Sequence, residues 1–430
     1  MTPFQPVQKL AVYRRLANGK EVLAGELAQN KRAVYFQYDS DYLANYHSLS
    51  PFKLDFSSGL NQAPATPHHG LHGVFADSLP DGWGLLLMDR VFRQHNISPQ
   101  QITAMDRLAY IGDTGIGALS YRPVIDWKTR DNTWIELATL GKQATQLFDG
   151  KADTVLAALA NAGGSGGARP KALIYIDSKQ SKKISTYPRA GLQAWLIKFT
   201  SQNLLLKHEE GLCEAAYLTM AKSAGIDVPE WKLFTPPPSC GAKAWLAMKR
   251  FDCSYNKNDT GRYHTHSLCG LLDADFRQPS MDYEDLIKAS QILCNSPAVG
   301  QQQFTRAIFN LFANNQDDHT KNWSFLMDDK GQWQPSPCYD ITFSPAPSNQ
   351  HMTSFAGYGS QPPKKAIQKL AKQANIPYWK DTQMIISQVL DALTQWNKVA
   401  KETGISKDTT RIIAKQLDAV YQENKGLLET

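Results

Sequence analysis

Hydrophobic and polar residues alternate along the first part of the chain, between residues 7 and 55. In the stretch RAVYFQY this alternation places Val34, Phe36 and Tyr38 on one face, and the tripeptide NGK at residues 18–20 is a hairpin-turn signal. A side-chain period of two is typical of half-buried strands. The sequence therefore predicts a strand-rich beginning.

The pattern changes after residue 80, where helices and short strands follow one another. The segment SLPDGWGLLLMDRVFRQH predicts a helix entered through Pro80 and Asp81, and DRLAYIGDTGIGALSYRP predicts a helix, a Gly-rich turn and a strand. Residues 131–162 are helical in pattern. From residue 172 onward, short strands recur as ALIYID, AWLIKF and AWLAMKRF, with the helix EEGLCEAAYLTMAKSAG between the last two.

Helical periodicity dominates beyond residue 280. The segment QQQFTRAIFNLFANN places Phe304, Ile308, Leu311 and Phe312 on one stripe. Three further helical segments, AIQKLAKQA, MIISQVLDALTQW and TTRIIAKQLDAVYQ, finish the chain.

A length of 430 residues exceeds what one ordinary hydrophobic core supports, so two or three domains are expected. With the periodicity, it predicts an α+β fold with a strand-rich N-terminal domain at residues 1–150 and an all-helical C-terminal lobe at residues 256–430. Residues 151–255 are predicted to form a strand-containing region with a Gly-rich loop. The composition, with 42% hydrophobic and 20% charged residues, is that of a globular protein.

Charge and cysteine content narrow the class of protein. A net charge of +6 is weak over this length and supports no argument for nucleic-acid binding. The six cysteines form no CxxC pair, which argues against a disulfide framework and favours a reduced, cytoplasmic compartment. The start MTPFQPVQKL lacks an apolar core of signal-peptide length, and no apolar run reaches 18 residues, so we expect neither secretion nor a membrane span.

Two groups of residues have partial metal-ligand spacing: His68, His69 and His72 in one loop, and His264, His266 and Cys269 further along. The first group has no nearby Cys or carboxylate, and the second has no evident fourth ligand. We therefore favour histidines without a metal over a zinc site in both places.

The first candidate for chemistry is the Gly-rich stretch NAGGSGGARPKALIYI. Its backbone N–H groups could surround an anion, with Arg169 and Lys171 adding positive charge. It is not a Walker loop, because Pro170 precedes Lys171 and no Ser or Thr follows. The stretch alone leaves open a flexible interdomain loop and a phosphate-binding loop.

The second candidate is Lys198 in the apolar strand AWLIKFT. A lysine is seldom buried without a partner, so it either reaches solvent at a sheet edge or holds nucleotide phosphates beside a carboxylate. Glu214, in the next helix, is the natural partner for the second role, with Glu209 and Glu210 as alternatives.

The third candidate is NNQDDHTKNWSFL, in which Asp317 and Asn322 lie five residues apart. The following WSFLMDDKGQWQPS predicts a hairpin that turns at residues 328–331, and CYDITFS then presents Asp340 between apolar neighbours. Magnesium-dependent phosphoryl transfer needs one Asp to orient a hydroxyl, and an Asn and a later Asp to hold Mg²⁺. A polar surface turn is the alternative for this stretch alone, and Asp318 is expected to be an ordinary solvated charge.

Together these segments resemble the HipA-like kinases, the toxin halves of bacterial toxin–antitoxin pairs. The matching segments are GGARPKAL, WLIKF, CEAAYLTMAKSAGIDVP, MKRFD, DDHTKN and CYDI, in family order, and the first strands with SLPDGWG are similar to that family's first domain. The resemblance implies a bilobal protein-kinase-like fold over nearly the whole chain.

The resemblance also implies ATP and Mg²⁺ as cofactors and assigns roles to residues. Asp317, Asn322 and Lys198 would be catalytic, Glu214 would orient Lys198, and Asn322 and Asp340 would bind the metal. The stretch from Met248 to Phe251 would form a hinge at the adenine. The residues implied to contact ATP are Gly166, Gly167, Ala168, Arg169, Pro170, Lys171, Lys198, Met248, Lys249, Arg250, Phe251, His319, Lys321, Asn322, Tyr339 and Asp340.

The function implied is transfer of phosphate to serine or threonine of protein targets, with aminoacyl-tRNA synthetases as the known substrate class. Such a protein is the growth-inhibiting toxin of a type II pair. A small helix-turn-helix antitoxin of HipB type would bind it, DNA would be met only through the antitoxin, and no membrane is involved.

The sequence departs from the related patterns at three places. Gln316 stands where ordinary protein kinases have an Arg before the catalytic Asp, so a phosphate-ordered activation loop is not expected. Phe and Gly do not follow Asp340. Ser165, the serine of the Gly-rich loop and the implied autophosphorylation site, lies two residues before Gly167, where three are expected.

Two alternatives remain at the level of sequence. Antibiotic and choline kinases share the Asp-to-Asn spacing, which allows a small-molecule phosphotransferase, but they usually have a His where Asn315 stands. A nucleotide-binding corepressor without turnover is the non-enzymatic alternative. The presence of Lys198, Asp317, Asn322 and Asp340 argues against it, because degenerate kinases usually lose one such residue.

Overall fold

A computed structural model of the chain describes residues 4–125, 134–155, 157–164, 166–177, 180–189, 191–255 and 260–429. Ser165 lies outside the described residues, as do parts of the segment 131–162. Among the described residues, no helix combines the length and the apolar character needed to cross a bilayer. All six cysteines are free thiols.

The N-terminal domain is a five-stranded antiparallel sheet in the order β4-β3-β2-β1-β5, covered by short helices. Its strands are β1 (Lys9–Arg15), β2 (Glu21–Gln29), β3 (Val34–Tyr38), β4 (Asn61–Gln62) and β5 (Leu119–Arg122). Its helices are α1 (Ser40–Asn45), α2 (Gly73–Ala76), α3 (Gly82–Gln94) and α4 (Ala104–Ile111). Val34, Phe36 and Tyr38 are all buried, which confirms the face predicted from their alternation. The predicted helix after Asp81 is confirmed as α3.

The middle of the chain forms a six-stranded sheet in the order β10-β11-β9-β7-β8-β6. Its strands are β6 (Ile135–Glu136), β7 (Lys171–Asp177), β8 (Gln180–Ser185), β9 (Gln193–Lys198), β10 (Trp231–Phe234) and β11 (Trp245–Lys249). The helices of this region are α5 (Leu137–Phe148), α6 (Ala157–Asn161) and α7 (Glu210–Ser223). Because successive strand residues point to opposite faces, Trp195 and Trp245 pack with α5, whereas Leu196 and Leu246 face the core that contains α7.

The remaining strands and helices belong to the C-terminal lobe and its junction with the sheet. The strands are β12 (Cys253–Tyr255), β13 (Thr260–Arg262), β14 (His264–Ser267), β15 (Met281–Asp282), β16 (Ser324–Met327), β17 (Trp333–Pro335) and β18 (Thr353–Ser354). The helices are α8 (Leu268–Leu272), α9 (Tyr283–Cys294), α10 (Ala298–Phe312), α11 (Lys364–Gln373), α12 (Trp379–Thr394), α13 (Trp396–Thr403) and α14 (Lys407–Asn424). Short 3₁₀ helices occupy Pro99–Gln101, Lys207–Glu209, Pro238–Cys240, Thr320–Asn322 and Lys425–Leu428.

The C-terminal lobe is helical in its bulk but is not made of helices alone. Strands β14, β16 and β17 form a three-stranded sheet, and β15 pairs with β18 in parallel. The predicted hairpin is confirmed by the antiparallel pairing of β16 with β17 and by the turn hydrogen bond from Gly331 N–H to Asp328 O. The chain must reverse here to return Asp340 to the loop that carries Asp317, and paired strands satisfy the backbone polar groups of that reversal.

The N-terminal domain packs directly on the C-terminal lobe. A Cβ atom on Gly73 would lie 2.0 Å from the carbonyl oxygen of Gly270, so only glycine permits this approach. His264 Nε2 lies 2.8 Å from Leu49 O, and His266 Nδ1 lies 2.6 Å from the carboxylate of Asp77. These two histidines are therefore buried contacts between the domain and the lobe. Within the described residues, no cluster of three or more His, Cys, Asp or Glu side chains could hold a metal ion.

Candidate active site

A cavity of about 790 Å³ separates the six-stranded sheet from the C-terminal lobe, and residues of the N-terminal domain close one end of it. Among its lining are residues 166–169 of the Gly-rich loop (residues 166–170), the residues at 248–251, and Asp317, His319, Lys321 and Asn322 of the acidic loop (residues 317–322). Tyr339 and Asp340 complete this side. The cavity thus brings together segments that lie up to about 170 residues apart in the chain.

Strand register places two lysines beside each other under this cavity. Lys171, the first residue of β7, is the direct partner of Lys198, the last residue of β9. Both side chains lie on the face that looks toward α7, because cross-strand partners share a face. Both residues are almost fully buried, at 3% and 4% exposure. The sheet therefore concentrates positive charge at one point of the cavity floor.

Lys198 is held between two carboxylates. Its Nζ donates to both oxygens of Glu214, at 2.6 and 2.8 Å, and also to Asp340 Oδ1. Burial alone would lower the pKa of Lys198, but Asp340 and Glu214 outweigh it and raise the pKa. Burial likewise opposes ionisation of Asp340, and Lys198 reverses the effect, so the pKa of Asp340 lies well below its usual range. The lysine and Asp340 are therefore both charged at neutral pH.

Glu214 is the partner of Lys198 that α7 supplies, as expected from the sequence. The two alternatives have other partners: Glu210 pairs with Arg169 at 3.3 Å, and Glu209 pairs with Lys243 at 3.1 Å. Lys198 does not line the cavity itself. It lies beneath Asp340, which does.

The Gly-rich loop is shaped by close backbone contacts. Gly167 has φ +97°, and a Cβ atom there would lie 2.2 Å from Lys171 Nζ. Lys171 Nζ donates to Gly166 O at 2.8 Å, and burial lowers the pKa of this lysine. Pro170 does not line the cavity, and its carbonyl accepts the N–H of Phe199 at 2.8 Å. The loop therefore presents backbone and Arg169 to the cavity, with Lys171 behind it.

The acidic loop turns its functional groups toward the same space. The Asp317 side chain is 61% exposed, and His319 Nε2 lies 3.7 Å from its Oδ1. Asn322 Nδ2 donates to Asp317 O at 2.8 Å, so the amide nitrogen is fixed and the amide oxygen points away from that bond. Asp340 has the left-handed φ of 55°, a conformation that costs a non-glycine residue free energy and is common at functional sites.

Asp318 is not the solvated charge expected from the sequence. It is 1% exposed, and Tyr283 OH donates to its Oδ2 at 2.5 Å. His351 Nδ1 lies 2.8 Å from the same oxygen, and the N–H of Met352 donates to Oδ1 at 2.8 Å. The prediction was wrong because the segment that buries Asp318 follows it by more than 30 residues. Asp318 anchors the acidic loop to that segment.

Gln316 makes a second connection to the chain beyond Asp340. Its Nε2 donates to Asn349 Oδ1 at 2.9 Å, and its Oε1 accepts the N–H of Ala346 at 2.6 Å. These are uncharged hydrogen bonds at a position where protein kinases have an Arg. The segment is held by neutral and buried groups, and none of these contacts involves a phosphorylated residue.

The opposite end of the cavity is more apolar. Leu173, Leu196 and Met248 line it, and the rings of Phe251 and Tyr339 stack with centroids 5.6 Å apart. This apolar end has the character expected around a flat heterocyclic ring.

Two of the residues predicted to meet the adenine direct their side chains elsewhere. Arg250 donates to Asp252 through Nε at 2.9 Å and Nη2 at 2.5 Å, and Lys249 Nζ pairs with Glu230 at 2.8 Å. Both residues line the cavity, but their charged groups are already engaged. The sequence could not show this, because Asp252 and Glu230 are equally plausible as solvated charges.

The donor groups fit a nucleotide with Mg²⁺. The carboxylate of Asp340 and the amide oxygen of Asn322 are hard oxygen ligands of the type that Mg²⁺ prefers. Lys171, Lys321, Arg169 and the Gly-rich backbone supply the positive charge and N–H donors that phosphates require. This arrangement can bind a polyphosphate at one end and a ring at the other.

Two residues that contact the acidic loop were missed by sequence reasoning. Asp81 accepts a hydrogen bond from Lys321 Nζ at 2.7 Å, and the ring of Phe276 lies 4.4 Å from the same nitrogen. Asp81 was recognised only as the start of a helix. No local pattern marks Phe276, because its contact with Lys321 is created by the fold.

Comparison with known proteins gives matches over most of the chain. Residues 17–122 match the HipA N-terminal domain family, and residues 163–423 match the HipA-like C-terminal domain family. Y4dM of Sinorhizobium fredii, whose name describes it provisionally as a kinase, is 27% identical over 158 residues, or 34% of this chain. That match spans 37% of the relative's own length.

The fold is similar to that of a solved HipA. The HipA chain of Shewanella oneidensis MR-1, in a complex with HipB and operator DNA, superposes with a TM-score of 0.71 and 16% identity, covering 98% of both chains. CtkA of Helicobacter pylori, described as a proinflammatory kinase, matches at a TM-score of 0.36 and 13% identity over 55% of this chain and 89% of that chain, too low to support an assignment. The expected α+β, protein-kinase-like fold with two lobes is confirmed.

Proposed function

The chain belongs to the family of HipA-like proteins, and from this premise we propose that it is a Mg²⁺/ATP-dependent serine/threonine-protein kinase. The observation that carries the proposal is the ion-paired group of Lys198, Glu214 and Asp340 next to the loop of Asp317 and Asn322. A buried Lys–Glu pair, a metal-binding Asp and an Asp-to-Asn loop are the recurring parts of kinase sites.

In this proposal each residue has a distinct task. Asp317 orients the hydroxyl of the protein substrate and accepts its proton, and its exposed carboxylate suits a large substrate. Lys198, steadied by Glu214, and Lys171 neutralise charge below the phosphates, while the Gly-rich loop donates backbone N–H groups.

The metal site of this proposal is formed by Asn322 and Asp340. When bound there, Mg²⁺ would neutralise phosphate charge and align the reacting groups. Tyr339 stabilises this side of the site, since its hydroxyl donates to Lys321 O at 2.7 Å. His319 and Lys321 lie beside the same space and complete the phosphate environment.

The biological setting is part of the same proposal. The chain acts in the cytoplasm as the toxin of a type II toxin–antitoxin pair and slows growth by phosphorylating a translation component, such as an aminoacyl-tRNA synthetase. Its partner is a small helix-turn-helix antitoxin of HipB type, and the Shewanella complex, with HipB and operator DNA, supports this partner. Contact with DNA is then indirect, through the antitoxin.

The test compares the wild type with Asp317→Asn in cell lysate supplied with radiolabelled ATP. We expect labelled proteins with the wild type and none with the variant, while Asp408→Asn, at a residue whose side chain is 85% exposed, behaves as the wild type. Phosphoproteomics after a pulse of expression then identifies the target as the phosphosite that depends on Asp317. Equal labelling by wild type and Asp317→Asn would reject the proposal, and labelling of small alcohols but not proteins would favour a small-molecule kinase.

A further inference from the structure

Asp81 connects the two loops that face each other across the cavity. Its Oδ1 accepts the backbone N–H of Gly167 in the Gly-rich loop, and its Oδ2 accepts from Lys321 Nζ of the acidic loop at 2.7 Å. The side chain is 14% exposed and belongs to the N-terminal domain. One carboxylate from outside the sheet and the C-terminal lobe therefore contacts both halves of the candidate site.

The start of α3 is built around this contact. Asp81 stands at the N-cap position, where an Asp normally accepts an N–H of its own helix, yet its side chain makes no such cap bond. Gly82 has φ +43°, and a Cβ atom there would lie 2.8 Å from Gly167 O and from Ala168 Cα. Trp83 N–H donates to Gly167 O at 3.0 Å. The helix gives up its side-chain cap, and the Gly-rich loop lies directly on its first residues.

Lys321 depends on the same carboxylate for its direction. Its side chain is long and has many rotamers, so an ammonium beside a cavity needs a fixed acceptor to hold one position. The Phe276 ring contacts Nζ at 4.4 Å, but a cation–π contact restrains an ammonium less than a charge-assisted hydrogen bond. Burial opposes ionisation of Asp81, but Lys321 outweighs it and lowers the pKa of Asp81, so the carboxylate stays charged at neutral pH.

We propose that Asp81 is a positioning residue for the phosphoryl transfer proposed above, on which this inference rests. It holds the Gly-rich loop and Lys321 at the spacing that the nucleotide phosphates require. The N-terminal domain is then a structural part of the ATP site, and detaching Asp81 from the two loops weakens nucleotide binding without touching Lys198, Asp317, Asn322 or Asp340.

The test uses the full chain with Asp81→Asn, which keeps the size of the side chain and one carbonyl acceptor but cannot accept from Lys321. The dissociation constant for Mg·ATP, measured by calorimetry, is expected to rise about ten- to hundredfold, as loss of a hydrogen bond to a charged group implies. In the phosphorylation assay the change appears mainly in KM for ATP rather than in kcat. Without nucleotide, backbone amides of residues 166–171 exchange hydrogen faster than in the wild type.

Two variants serve as controls. Asp81→Glu keeps the charge and recovers part of the ATP affinity, which loss of an uncharged structural contact would not predict. Asp89→Asn removes the ion pair of Asp89 with Arg107, 2.7 Å long, from the same helix but outside the cavity lining, and leaves the ATP affinity and the loop exchange unchanged.

Three outcomes would overturn the inference. Equal ATP affinity and equal loop exchange in wild type and Asp81→Asn would reject it while leaving the proposed kinase function intact. Tighter ATP binding by Asp81→Asn would also reject it, because the carboxylate would then compete with phosphate instead of positioning its ligands. Failure of the wild type to bind Mg·ATP would reject the proposed function itself, and this inference with it.

Discussion

Lys171 and Lys198 are opposite each other on neighbouring antiparallel strands, and both are almost fully buried. Two like charges at this spacing are unfavourable unless carboxylates compensate them. Glu214 reaches Lys198 from α7, and Asp340 reaches it from the far end of the β16–β17 hairpin. The electrostatic balance of the site therefore depends on the packing of the sheet against the C-terminal lobe.

Replacement of Lys198 with Met is expected to destabilise the protein by about 3 kcal/mol, because it leaves Glu214 buried without a cation. The double variant Lys198→Met/Glu214→Leu should recover most of that loss, since an apolar pair of similar volume is often as stable as a buried ion pair. Urea unfolding measures both free energies, and calorimetry should show that neither variant binds Mg·ATP. A double variant whose destabilisation equals the sum of the two single changes would contradict this coupling.

The adjacent residues Asp317 and Asp318 are expected to respond in opposite ways to the same change. Asp317→Asn should remove phosphorylation activity and alter the free energy of unfolding by less than about 0.5 kcal/mol, because the side chain is 61% exposed. Asp318→Asn should cost about 3 kcal/mol, because an amide cannot accept all the hydrogen bonds of the buried carboxylate.

Hydrogen exchange distinguishes the two variants further. The amides of residues 351–354 should exchange faster in Asp318→Asn and at the wild-type rate in Asp317→Asn. Equal stability of the two variants would show that Asp318 does not anchor the acidic loop.

Gly167→Ala should disrupt the Gly-rich loop locally. The new Cβ would lie 2.2 Å from Lys171 Nζ, at a φ of +97° that alanine adopts only with strain of about 1–3 kcal/mol. We expect the dissociation constant for Mg·ATP to rise tenfold or more, while unfolding remains cooperative. Gly426→Ala, where a Cβ meets no atom within 4 Å, is the matched control and should bind as the wild type. Unchanged affinity in Gly167→Ala would show that the loop does not contact the nucleotide.

Mild acid should weaken the protein through His264. Burial, followed by the nearby Arg14, lowers the pKa of His264 to about 3, whereas an unfolded histidine titrates near 6.5. Because the pKa is depressed in the folded state, protons bind the unfolded chain preferentially, and stability falls as pH decreases below about 6.5. Between pH 7.5 and pH 5.0 the contribution of this residue should fall by about 2 kcal/mol.

The measurement is urea unfolding of wild type and His264→Gln at the two pH values. Glutamine can still donate to Leu49 O, which His264 contacts at 2.8 Å, but it does not titrate. The variant should therefore lose about 2 kcal/mol less than the wild type on acidification. Parallel losses in the two proteins would rule out His264 as the source of the acid sensitivity.

The elements of the fold were readable from local periodicity where one face is buried. The helices α3, α7 and α10 and the strands β3, β7, β9 and β11 lie where the apolar spacing predicts them. The short strands β14, β15 and β18 were not predicted, because two to four residues carry too little pattern and their pairing partners lie 60 to 70 residues away.

The residue types of the candidate site were also readable from the sequence, because phosphoryl transfer needs a lysine, carboxylates and an amide in a recognisable order. Tertiary structure decided which of them are near each other and in what state. The register of β7 with β9 sets Lys171 beside Lys198, and the packing of α7 selects Glu214 over Glu209 and Glu210. Contacts across the chain bury Asp318 and bring Asp81 to both loops. Burial and partner choice depend on residues far apart in the chain, whereas the sequence encodes directly only the preferences of neighbours.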